Sequence, residues 1–247
     1  VDNATKRKLK QPDQFVALTG EGVQWAGEHR QTVIVWGIVI VVAILALVGG
    51  ITLYQQRANA ADTAFGEAMQ VYQTPLVSSG QEVPPGMKTF PDSKARATAA
   101  NEQFVAIAHQ YGLLHTGKLA EYFAGLTYAE EGQNNNAEEA LKSVADSWDK
   151  GLSALAKMSL AQLDQQTGKD SEAIALYQEL AKTDASTVPA GMAQLQLADL
   201  YTSEGKTDEA RKIYAELKDK SKDAQGKPTA IAELASEKLN PHSSSAQ

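Results

Sequence analysis

The feature that most constrains this chain is residues 32–54, TVIVWGIVIVVAILALVGGITLY, a run of 23 residues without a charged side chain. At about 1.5 Å per helical residue it reaches roughly 35 Å, enough to cross a hydrocarbon core of about 30 Å with some tilt. Fourteen of its residues are Val, Ile or Leu. Each favours insertion by roughly 0.3–0.6 kcal/mol near the bilayer centre. β-Branched residues favour strands in water, but an apolar run this long outlasts any soluble strand. The segment is expected as one transmembrane helix.

Charge gives the helix a direction. Lys6, Arg7, Lys8, Lys10 and Arg30 precede it, and only Arg57 follows closely. The positive-inside rule then places residues 1–31 in the cytoplasm and the long C-terminal part outside, in the periplasm of a bacterial inner membrane. Trp25, Arg30, Trp36 and Tyr54 are the expected membrane-interface residues. Residues 13–29 carry Phe15, Leu18 and Trp25 at positions that one helix face can share on the inner leaflet. The segment is expected as a short amphipathic helix, with an irregular polar lead-in as the alternative that Gly20, Gly22 and Gly27 keep open. A cleavable signal peptide is the rival to a retained anchor, because Ala58-Asn59-Ala60 has the small-x-small form. The apolar core exceeds the usual length of about 7–15 residues, and Val48 is far from Ala58, so a retained anchor is expected.

Residues 58–247 carry 17 Lys/Arg against 26 Asp/Glu. An acidic part of this kind excludes nucleic-acid binding, which requires a basic surface. The chain has no cysteine, which excludes disulfides, thiolate nucleophiles and cysteine-held zinc.

Beyond Arg57 the sequence compares with itself. Gly132, Gly168 and Gly205 are spaced by 36 and 37 residues. In TGKDSEAIALYQEL and EGKTDEARKIYAEL the glycine is followed by an alanine (Ala173, Ala210) and then a tyrosine (Tyr177, Tyr214). Leu160-Ala161 and Leu197-Ala198 precede them in equivalent places. The glycine is expected to end one helix in a left-handed cap. The alanine lets the next helix approach closely, and leucine and tyrosine fill the space between. The pattern resembles tetratricopeptide repeats, whose usual period is about 34 residues. The first copy reads as irregular, with Ala140 rather than an earlier alanine in the small-residue place.

The flanks extend this into a solenoid. Residues 92–111 carry Ala100 and Phe104 in the second-helix spacing, with residues 58–73 as the partner helix, continuous with the membrane span. Residues 74–91 hold Pro75, Pro84, Pro85 and Pro91 and form a long loop. Residues 228–239 make a last amphipathic helix through Ile231, Leu234 and Leu239, with Pro228 in its first turn. It caps the open end of the stack. Residues 240–247 are a polar, disordered tail. The expected fold is all-α, a single N-terminal transmembrane helix followed by a tetratricopeptide-like solenoid over 55–239.

Chemistry is sparse. His109 and His115 are six apart with Gly112 between them, which does not put them on one helical face as a metal pair. Glu130-Glu131 and Glu138-Glu139 flank repeat turns and read as solvated faces. No phosphate loop, nucleophile elbow or zinc-protease motif occurs. No enzymatic activity, metal or cofactor is expected. A partner-binding groove lined by the first helix of each repeat points to Tyr122, Leu126, Met158, Gln162, Gln165, Leu195, Asp199 and Thr202. The set has no Lys or Arg to clamp a carboxylate and suits an apolar or mixed peptide. Tyr122, Leu126, Met158 and Leu195 can equally well pack between repeats.

This layout of basic lead, membrane helix and alanine-rich repeats resembles the YfgM-like family of bacterial inner-membrane proteins over roughly residues 13–239. FVAIAHQYGLLHTGKLAEYFAGLTYAEEGQNNNAEEAL is the most similar segment. The resemblance implies an ancillary subunit of the Sec translocon that binds translocon subunits and the periplasmic chaperone PpiD and helps hand over secreted chains. The proline-rich insertion 74–91 departs from the family's short connection. The alternative is an accessory structural subunit of another large inner-membrane complex, respiratory or photosynthetic.

Overall fold

A computed structural model describes residues 30–77, 86, 88–183, 185–222 and 225–240. Trp25, the lead-in 13–29, Pro84, Pro85 and the tail from 241 lie outside this set. Every regular element among the described residues is helical. Contacts divide the chain into two units, Val1–Arg57 and Ala58–Gln247, and each is described by itself.

Helix α1, Arg30–Tyr72, is 43 residues long. Among the described residues it is the one helix long and apolar enough to cross a membrane, and its most apolar window is wholly unburied. Leu45, Leu47 and Leu53 are each at least 63% exposed. Soluble proteins rarely expose a contiguous apolar surface of this extent, and its length matches a bilayer core. The helix continues through Gly49 and Gly50. The Thr52 hydroxyl donates to the Gly49 carbonyl at 2.8 Å, so this hydroxyl is satisfied inside its own helix.

From Ala58 onward the helices form successive pairs. Residues 58–72 of α1 pack on α2 (Ser93–Tyr111), then α3 (His115–Glu131) on α4 (Asn134–Ala145). The third and fourth pairs are α5 (Lys150–Gln166) with α6 (Asp170–Leu180), and α7 (Ala190–Ser203) with α8 (Thr207–Lys220). α9 (Ala230–Leu239) closes the end against α7 and α8.

The reason for the pairing is one motif used four times. Ala100, Ala137, Ala173 and Ala210 are all buried, and so are Phe104, Leu141, Tyr177 and Tyr214 four residues later. Each alanine lets the second helix of its pair approach the first, and each large side chain fills the gap. Burial of one such side chain is worth about 1.5–3 kcal/mol. The first glycine-marked copy is therefore regular. Ala137, not Ala140, is its small residue, and Leu141 stands where the later copies have tyrosine. The matching place on the first helices is small as well: Gly125, Ala161 and Ala198 are buried. A Cβ at Gly125 would lie 2.8 Å from the Leu141 side chain.

The three turns within pairs are alike in detail. Gly132, Gly168 and Gly205 have φ of 81°, 76° and 78°. The following N–H reaches back five residues each time: Gln133 to Tyr128, Lys169 to Asp164 and Lys206 to Tyr201, at 2.7–2.8 Å. This is the Schellman geometry that sequence spacing predicts for a glycine cap.

The first pair is joined to the second by aromatic rings. Phe104 stacks on Phe123 at 5.3 Å, and Phe65 meets both, at 5.7 and 5.6 Å. Inside the same layer Asn101 Nδ2 donates to Thr127 Oγ1 at 2.9 Å and to the Ala124 carbonyl at 3.1 Å. The loop between α1 and α2 has its ends tied, since Val77 N–H donates to the Phe90 carbonyl and Phe90 N–H to that of Pro75. At the far end, Pro228 precedes α9 and pairs with Lys222 instead of entering the helix. The buried face of α9 is Ala232 and Ala235, flanked by Ile231 and Leu239, while Leu234 is 42% exposed. Leu234 is thus corrected from core to surface: a helical step of 100° turns it away from Ala235.

Candidate functional site

The first helices of the pairs are joined side by side through polar side chains. Tyr72 donates to Glu130 Oε1 at 2.5 Å, and the Arg96 guanidinium lies 5.4 Å from the centre of the Tyr72 ring and 3.8 Å from Glu130. Burial, and then the Glu130 carboxylate, pushes the Tyr72 phenol up to about 12. Next in line, the Tyr122 hydroxyl and Ser159 Oγ are 3.1 Å apart, joining α3 to α5.

The residues singled out for the groove fall into three groups. Tyr122 and Leu126 are half-buried against Leu141, Leu160 and Leu163, and Met158 sits against Tyr177 and Val188. Leu195 is 5% exposed, in the cluster of Ala198, Tyr214 and Ala235. Gln165, Asp199 and Thr202 serve tyrosines of their own pairs. Tyr177 donates to Gln165 at 3.5 Å, and Tyr214 donates to Asp199 at 2.6 Å and lies 3.4 Å from Thr202 Oγ1. Gln162 is exposed on α5. Of the membrane-interface set, Arg30, Trp36 and Tyr54 are exposed on α1, with Trp36 and Tyr54 62% and 60% exposed.

A groove of about 500 Å³ runs between α2, α3 and α4, lined among others by Val105, His109, Lys118, Glu121, Tyr128 and Glu139. A smaller one of about 240 Å³ occupies the equivalent place between α6, α7 and α8, with Gln178, Gln194, Ile213 and Glu216. Both mix apolar floors with charged rims. That lining suits side chains of a protein partner more than a compact small molecule.

The two histidines have separate surroundings. His109 lines the first groove, while His115 Nδ1 is 2.8 Å from Asp149 Oδ2. The Asp149 carboxyl is held below the usual range by the Leu152 N–H and then by His115. Glu138 receives Lys142 and Lys169, each at 2.5 Å, and these two bonds hold its carboxyl low. Among the described residues no group of three His, Asp or Glu converges as a metal site.

Sequence register had no means of finding two exposed apolar side chains in the corners between pairs. Leu113 is 98% exposed and Trp148 is 74% exposed. Periodicity carries no information there, since neither lies in a helix.

No curated protein and no solved structure matches this chain. A family model described as a tetratricopeptide repeat-like domain matches residues 24–241. The four alanine-marked pairs, the glycine-capped turns and this match over most of the chain lead to one conclusion: the chain belongs to the tetratricopeptide repeat-like domain family.

Proposed function

We propose that this protein is a non-catalytic, membrane-anchored interaction scaffold, ancillary to the Sec translocon and to periplasmic handover of secreted chains. Residues 32–54 span the inner membrane, residues 1–31 lie in the cytoplasm, and the repeat domain of 55–239 lies in the periplasm. The observation that carries the reading is the pairing in one chain of an unburied apolar helix with a repeat domain of the interaction-module type. Orientation rests on the basic residues before the helix. The partner assignment rests on the resemblance to YfgM-like proteins. Gln162, Met158, Tyr122 and Leu126 on the first helices, together with the groove between α2 and α4, form the binding surface of this proposal.

The test is photo-crosslinking in cells from Gln162 and from Val105, followed by mass spectrometry. Adducts with translocon subunits or a periplasmic chaperone are expected. Adducts confined to cofactor-bearing subunits of a respiratory or photosynthetic complex would replace the secretion role with that of a structural accessory. An absence of protein adducts at both positions would remove the scaffold reading.

A further inference from the structure

The corners between pairs are tied into one edge. Thr116, in the first turn of α3, donates to Asp62 of α1. The neighbouring His115 meets Asp149, the N-cap of α5, at 2.8 Å. Gly151, two residues on, accepts from Thr187 in the α6–α7 corner at 2.8 Å. Asp62, the first two corners and the third therefore follow one another along one side of the repeat unit. The glycine turns lie at the other ends of the same helices.

Among the described residues, the exposed large apolar side chains in these corners are at the Asp62 end. Leu113 is in the first corner and Trp148 in the second, while the third exposes Ser186 and Thr187. The fourth exposes Lys222 and Gly226. Asp62 is eight residues beyond Tyr54. A chain that long spans at most about 29 Å in any conformation, so Asp62 stays within that distance of Tyr54 whatever direction the chain takes. Tryptophan is the side chain most at home at a bilayer surface, with an apolar body for the acyl boundary and an N–H for the headgroups.

We propose that Leu113 and Trp148 form a second membrane contact, an interfacial foot that seats in the leaflet from which the repeat domain emerges. It rests on the reading of α1 as a membrane span. The occupant is lipid and the contact is apolar. Asp146 and Lys150 on either side of Trp148 offset one another and Asp149 is paired with His115, so the contact carries no net basic charge for anionic headgroups; seating occurs on zwitterionic lipid and persists in high salt.

The chain has no cysteine, so single spin labels report cleanly. Full-length protein carrying Leu45→Cys, Leu113→Cys, Asp146→Cys or Asn135→Cys is reconstituted in phosphatidylcholine vesicles. Collision with oxygen, which favours lipid, is compared with collision with a water-soluble nickel chelate. The Leu113 and Asp146 labels are expected to favour oxygen several-fold more than the label at Asn135, beside the Gly132 turn. Trp148→Ser is expected to abolish the preference at Asp146.

If the Leu45 label is in lipid but Leu113 and Asp146 match Asn135, the foot is overturned and the anchor stands. If Leu45 itself reports water, the anchor reading falls and the foot with it. Labels at Leu113 and Asp146 shielded from both reagents would report a protein cover and overturn lipid as the occupant.

Discussion

Tyr214 Oη donates to Asp199 Oδ1 at 2.6 Å, and the same carboxylate oxygen accepts from Lys238 at 2.7 Å. One carboxylate thus joins the first and second helices of the last pair to the closing helix α9. The two bonds differ in worth. Tyr214 is 4% exposed, whereas the Lys238 side chain is 49% exposed. Tyr214→Phe is expected to cost about 1 kcal/mol, because a buried bond is lost. Lys238→Ala is expected to cost no more than about 0.5 kcal/mol, as exposed pairs do. Urea titration of the full chain in detergent, followed by circular dichroism, separates the two. A larger effect for Lys238→Ala would reverse the assignment.

The glycine turns allow a test of additivity. Gly168→Ala and Gly205→Ala each place a Cβ on a left-handed backbone, at an expected cost of about 1–2 kcal/mol. The turns share no side-chain partner, so the double variant should lose the sum to within about 0.5 kcal/mol. Gly117→Ala belongs to another class. Its Cβ would strike the Tyr111 carbonyl oxygen in the corner between α2 and α3, so its cost should exceed either turn variant. Denaturant midpoints at constant slope are the measurement.

Alkaline pH should weaken the repeat domain in a defined window. Tyr72, Tyr177 and Tyr214 are each raised from 10.0 to about 12, chiefly by burial. The folded state then holds these protons more tightly than the unfolded state. Their contribution is complete below the unfolded value and is lost as pH rises toward the folded one. Stability should therefore be level with respect to these groups below pH 10 and fall between pH 10 and 12. Tyrosinate absorbance should appear together with loss of helix. Tyr177→Phe should flatten the fall.

A charge at the centre of the apolar helix tests its environment. Leu45 is 66% exposed, so Leu45→Arg disturbs no packing. In a bilayer it costs about 2.5–3.5 kcal/mol of insertion free energy. Membrane-fraction yield should drop for Leu45→Arg and stay unchanged for Leu45→Ile. Equal yields for the two would place this segment outside lipid.

The helical class and the glycine caps were legible because both are local: helix propensity, and a backbone angle that glycine adopts without strain. Gly132 shows where reading stopped short. Taking Ala140 as its small residue makes this copy look irregular, whereas Ala137, five residues on as in the later copies, is the buried alanine, and Leu141 fills the gap where those copies have tyrosine. In α9 the apolar count favoured Leu234, yet Ala232 and Ala235 are the buried residues, Ala235 within the cluster of Leu195 and Tyr214. The groove register rests on spacing along the first helices. It had no access to hydrogen bonds across a pair, which engage Gln165, Asp199 and Thr202 with Tyr177 and Tyr214. Leu113 and Trp148 lie in corners, where exposure depends on how two pairs meet and leaves no trace in spacing.

The repeated alanine pairs also determine how the domain yields to force. Among the described residues the main helix contacts are within pairs and between successive pairs, so cohesion is a sum of successive interfaces. A pull on the C-terminal end meets α9 first, then α8 and α7. Such a domain gives way one interface at a time and re-forms in the reverse order. It behaves as a compliant element that can pay out length under tension, its last interface to yield being the one where Phe65 and Phe104 of the first pair meet Phe123 of the second.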